Sequence, residues 1–195
     1  MRLFVAVIPP EQALDDLAFA MDHAQAMAEP DASVRWTMRT QWHLTLAFLG
    51  EVDTDVRPDL ERRLARAAAR YEPLHLAVEG GGAFGSVRKA RVLWAGVTGD
   101  VERLRRLAGS VAAAARRAGI DVAEGRYRPH VTLARLREPI DVADQVSWWS
   151  AYSGPAWQAA RIDLVRSHPA VGEGARPRYE TLQTWPLGRD VAAPG

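Results

Sequence analysis

Cysteine is absent from the 195 residues. That excludes disulfides, thiolate metal sites, iron–sulfur clusters and a cysteine nucleophile, and it fits a reducing compartment. Lysine is almost absent: Lys89 stands alone among 25 basic residues, the others being arginine. No charge of one sign prevails, since 24 acidic residues leave a net charge of +1. A protein that coats nucleic acid by bulk charge is thereby excluded, and any phosphate binding has to be local and focused. Long hydrophobic runs are missing too. The apolar stretch from Leu3 to Ile8 is too short for a signal-peptide core and far below the ~20 residues of a membrane helix. The expected location is therefore the cytoplasm, with no membrane partner.

What is present is ordinary for a globular protein: 48% apolar and 25% charged residues, in a chain long enough for one domain or two small lobes. Leu3–Ile8, stopped by Pro9-Pro10, reads as a buried strand, and Glu11 opens a helix to Ala28 with Leu14, Leu17, Met21 and Ala24 as its apolar stripe. Val34–Trp36 is a brief strand. Trp42–Leu49 alternates, with Leu44, Leu46 and Phe48 on the core side, His43, Thr45 and Ala47 on the other, and Gly50 at its end. Asp55–Tyr71 reads as a surface helix, and Leu74–Val78 as a strand broken by Gly80-Gly81-Gly82. Arg91–Val97 is a strand; a helix capped by Asp100 runs to Ala118 and closes on Gly119. Tyr127–Leu136 is a strand and Val142–Ala151 a short helix. Ala159–Ser167 and Arg178–Thr184 are two last strands, joined through the Gly172–Pro177 loop. The class is α+β, and no linker divides the chain.

One internal echo stands out. His43-Leu44-Thr45-Leu46 returns as His130-Val131-Thr132-Leu133, 87 residues later. In a strand, residues i and i+2 share a face about 6.6–6.8 Å apart, so each imidazole has a hydroxyl beside it. A duplication at nearly half the chain length predicts two lobes related by a pseudo-twofold axis, with the pairs facing each other across a cleft. The plainer alternative is two unrelated sheet histidines, each bonded to its neighbours.

Two histidines at one site can divide acid and base roles, because imidazole titrates near neutrality. The threonine hydroxyls can donate to the oxygens of an anion held between them. A phosphodiester with an alkoxide leaving group suits that set. No further histidine or acidic cluster stands at metal-ligand spacing, so the expected mechanism needs no metal and no cofactor. Arg135 adds a cation, but strict alternation puts it on the face opposite His130; only a bulge would bring it back. Trp42, Tyr127 and Arg128 flank the motifs as candidate nucleotide contacts, with core packing or a solvated surface as their alternatives. The glycine triplet lacks the Gly-Lys-Ser/Thr of a phosphate-binding loop and is not one.

These residues resemble the 2H phosphoesterase superfamily, and within it the RNA 2′,3′-cyclic phosphodiesterase family, historically called 2′-5′ RNA ligase. Arg2–Ala6, Trp42–Gly50, Arg91–Val97, Arg128–Arg135 and Tyr179–Leu187 carry the likeness. The resemblance implies a bilobal fold: two antiparallel sheets around a central cleft, helices outside. It implies metal-independent hydrolysis of 2′,3′-cyclic phosphate ends of RNA or nucleotides to 2′-phosphates. His43 would be the general acid, His130 the general base, and Thr45, Thr132 and Arg135 the phosphate ligands. Residues 1–188 would form one bilobal domain of two interleaved lobes, and 189–195 a C-terminal tail. The chain is expected to act as a monomer. The alternatives are 2′-5′ RNA ligation or cleavage, such as joining tRNA halves, another cyclic nucleotide, or a non-catalytic RNA- or nucleotide-binding module.

Overall fold

The computed structural model describes residues 1–27, 31, 33–172 and 175–188. The expected tail, 189–195, and part of the Gly172–Pro177 loop lie outside these. In chain order the elements are β1 (Arg2–Val7), α1 (Glu11–Met27), β2 (Val34–Trp36), a 3-10 turn (Arg39–Gln41), β3 (Leu44–Glu51), α2 (Arg57–Ala68), β4 (Leu74–Ser86), β5 (Lys89–Gly99), α3 (Val101–Arg117), β6 (His130–Ile140), α4 (Ala143–Ser150), β7 (Trp157–Ala159), β8 (Arg161–His168) and β9 (Arg178–Pro186).

The strands pair throughout in antiparallel fashion, in the order β7-β4-β5-β6-β3-β1-β8-β9, with β2 alongside β6. The two expected sheets are the two halves of this curled surface, β7-β4-β5-β6 with β2 and β3-β1-β8-β9. They meet at a single residue pair, Leu44 with Val131. These two residues are also each other's counterpart in the 87-residue echo. A residue paired with its own duplicate lies on the axis relating the copies, so the pseudo-twofold passes through this pair.

Helices cover the other face. In α3, Leu104, Leu107, Ala108, Val111, Ala114 and Ala115 are buried, the spacing of one helical stripe. That stripe explains why α3 lies against β3 and α2, while α4 lies against β4. Full burial of each such leucine typically stabilises by about 1.5–3 kcal/mol. No helix among the described residues is long and apolar enough to cross a membrane.

Three expectations need correction. The glycine triplet does not break its strand: β4 runs through it to Ser86. The glycines serve close approach instead, because a Cβ at Gly81 would lie 2.3 Å from Cβ of Trp149 and one at Gly82 2.4 Å from the Trp94 ring. β6 begins at His130, not Tyr127; Pro129, without an N–H, cannot donate to the ladder just before it. β3 begins at Leu44, because the preceding 3-10 turn uses the local backbone, with the Trp42 N–H bonded to the Arg39 carbonyl.

Candidate active site

Both histidines sit where their strands begin, at the junction of the halves. Each ring is held by the carbonyl two residues before it: Nδ1 of His43 lies 2.7 Å from the Gln41 oxygen, and Nδ1 of His130 lies 2.8 Å from the Arg128 oxygen. A carbonyl only accepts, so each Nδ1 carries a proton. That leaves Nε2 as the nitrogen available to the cleft on both rings. Aromatic neighbours fix the ring planes. Phe4 stacks on His43 at 4.7 Å and Tyr179 meets it edge-on at 5.3 Å. Phe84 meets His130 edge-on at 4.8 Å, and Trp94 lies 6.4 Å away.

His43, Thr45, His130, Thr132 and Arg135 all line one cleft of about 700 Å³. Arg135 reaches it by the bulge that alternation alone does not supply. Across β5 and β6, Trp94 faces Thr132 while Leu93 faces Ala134, so Leu133 is an extra residue. Leu133 and Ala134 are consequently both buried, and Arg135 returns to the face of Thr132. β3 repeats the device: Ala6 faces Thr45 while Val5 faces Ala47, making Leu46 the extra residue. The expectation that Phe48 packs in the core is therefore overturned. It is 63% exposed and lines the cleft.

Burial pushes His43 down from its ordinary value to about 4; the Gln41 carbonyl opposes this, while His130 and Arg135 add to it. Burial also lowers His130, opposed by the Arg128 carbonyl and reinforced by the Arg135 and Arg128 charges. Both rings are thus neutral near pH 7. An anion between them would oppose that shift, because its negative charge favours the imidazolium form.

The three candidate nucleotide contacts do not line the cleft. Trp42 is buried, its indole N–H donating to the Thr37 hydroxyl at 2.9 Å. Tyr127 is packed against the core, and burial raises its phenol. Arg128 lies over the Trp94 ring at 4.5 Å, a cation–π contact. The cleft instead gains Phe48, which alternation assigns to the core, and residues that sequence reasoning passed over: Phe4, Tyr179, Arg2, Arg35 and Arg176. For Phe48 a signal existed, because Leu46-Ala47 and Leu133-Ala134 recur at the same offset. Among the described residues, no group of three or more His, Cys, Asp or Glu side chains could hold a metal ion.

Comparison with known proteins gives one answer. Residues 10–170 match the model of the 2′-5′ RNA ligase superfamily. A protein of Aeropyrum pernix named RNA 2′,3′-cyclic phosphodiesterase is 36% identical over 72% of this chain and 79% of its own length. One of Thermus thermophilus with the same name is 32% identical over 98% of this chain and 95% of its own. Among solved structures, Escherichia coli LigT complexed with 3′-AMP superposes with a TM-score of 0.75 and 27% identity, over 96% of this chain and 98% of that one. The chain belongs to the 2′-5′ RNA ligase superfamily.

Proposed function

We propose that this chain is a phosphodiesterase that opens 2′,3′-cyclic phosphates at RNA or nucleotide ends, leaving 2′-phosphates. The observation that carries the reading is the convergence of both His-x-Thr pairs on one cleft, across the axis through Leu44 and Val131. Nε2 of His130 takes a proton from water as the water oxygen bonds to phosphorus. The P–O3′ bond breaks, and O3′ receives the proton carried on Nε2 of His43. The Thr45 and Thr132 hydroxyls and the Arg135 guanidinium hold the non-bridging oxygens, where negative charge grows.

The acid role asks His43 to be charged, whereas burial keeps it neutral. The substrate resolves the conflict, since its negative charge favours imidazolium once bound. Protonation of His43 is then coupled to binding. The assignment of acid to His43 and base to His130 follows the family resemblance; the two rings are held alike. Incubation with a nucleoside 2′,3′-cyclic phosphate and separation of the 2′- and 3′-monophosphates tests the reading. The 2′-isomer is expected, and exclusive formation of the 3′-isomer or no turnover would sink it.

A further inference from the structure

The cleft carries more positive charge than a cyclic phosphate needs. Arg2, Arg35, Arg135 and Arg176 line it, and no Asp or Glu does so among the described residues. In a chain of net charge +1, that is a local concentration. A cyclic phosphodiester brings one negative charge.

Two of these arginines are placed against each other. In the pairing of β2 with β6, Arg35 stands directly opposite Arg135. Directly opposed residues of an antiparallel pair have Cβ atoms about 4.5–5.5 Å apart, and like charges there are unfavourable. The arrangement is held in place from the other side. Arg35 donates to the Ala175 carbonyl and Arg176 to the Trp36 carbonyl at 2.8 Å, while Gln41 donates to the Pro177 carbonyl at 3.0 Å. The Arg35 and Arg176 guanidiniums are thus each anchored on a neutral oxygen and have no carboxylate partner among the described residues, which leaves several of their five N–H donors for a ligand.

We infer that Arg35 and Arg176 form a second anion subsite, which takes the phosphate on the 5′ side of the nucleotide bearing the cyclic end. The inference rests on the phosphodiesterase reading and narrows it: the preferred substrate is a chain end with at least one upstream phosphate, not a free nucleoside cyclic phosphate. The extra cations are matched by the extra phosphate, and the repulsion between Arg35 and Arg135 is relieved when two anions lie beside them.

The test compares kcat/KM for a nucleoside 2′,3′-cyclic phosphate with that for a dinucleotide ending in the same cyclic nucleotide. A charge-assisted contact to phosphate predicts a preference for the dinucleotide of about tenfold or more, shrinking as salt is raised. Equal values overturn the inference. A dinucleotide with a neutral methylphosphonate linkage should lose the preference; if it keeps it, base or sugar contacts are responsible and the subsite is wrong. Arg35→Ala and Arg176→Ala should each narrow the ratio several-fold, with Arg35→Lys retaining part of it. An unchanged ratio in both alanine variants overturns the assignment. If neither substrate is hydrolysed, the functional reading fails. Relative affinity for the 2′-phosphorylated dinucleotide and nucleoside then decides the subsite by itself.

Discussion

The segments His43–Gly50 and His130–Arg137 are the same design carried out twice. Histidine, apolar residue, threonine, leucine, alanine and a sixth side chain follow in step, and both strands bulge at the leucine. The sixth position is where they part: Phe48 in one half, Arg135 in the other. Both face the cleft. A scaffold with twofold symmetry would accept a phosphate in either of two orientations. One aromatic wall against one guanidinium removes that degeneracy, because an apolar nucleoside and a charged phosphate favour opposite sides.

The comparison is broken most severely by removing either ring. His43→Ala and His130→Ala should each lower kcat by about 10²–10⁴-fold. The double variant should fall far short of the product of the two losses, since the rings act as one unit. Single-turnover rates on a cyclic nucleotide check this, and a loss confined to one histidine would refute the shared roles. Arg135→Ala should cost about 10²-fold in kcat, in the range of an oxyanion donor. Phe48→Ala should act on KM instead, and equal kcat losses in the two variants would erase the distinction drawn between the halves.

Acidity sharpens the contrast between the rings. His43 is lowered to about 4 in the folded chain, so it contributes stability above the unfolded value near 6.5. That contribution disappears as the pH falls from about 6.5 to 4, at most about 3 kcal/mol. Tm should drop over that window, and His43→Gln should flatten the drop. A Tm that stays level through this range in the parent protein would contradict the burial argument. In kinetics, kcat/KM reports the free protein and kcat the complex. The kcat profile should therefore lie at higher pH, because the bound anion raises both rings. The smallest expected effect is that of a chelator. Rates in EDTA should match those without it, and loss of activity restored by a divalent ion would require a different mechanism.

Much of this was legible in the letters. The duplicated His-x-Thr places both rings and both hydroxyls, and helix and strand order followed from apolar spacing and glycine stops. Phe48 was misread because alternation presumes a regular ladder, and the bulge at Leu46 adds one residue to one strand. Gly81 and Gly82 were misread because a local signal for a turn is also a signal for close approach, here by Trp149 and Trp94. Arg35 and Arg176 carry no local mark at all. They reach the cleft through partners 140 residues away in sequence, which only the tertiary arrangement brings near.

The lone rung between Leu44 and Val131 has a mechanical consequence. Both side chains are fully enclosed, so the joint is fixed at one point while the strands on either side are free to diverge. The two proton carriers each stand one residue before it. A change of bulk at that rung acts on the acid and the base together, which makes it the natural place to tune how large a ring the protein can straddle.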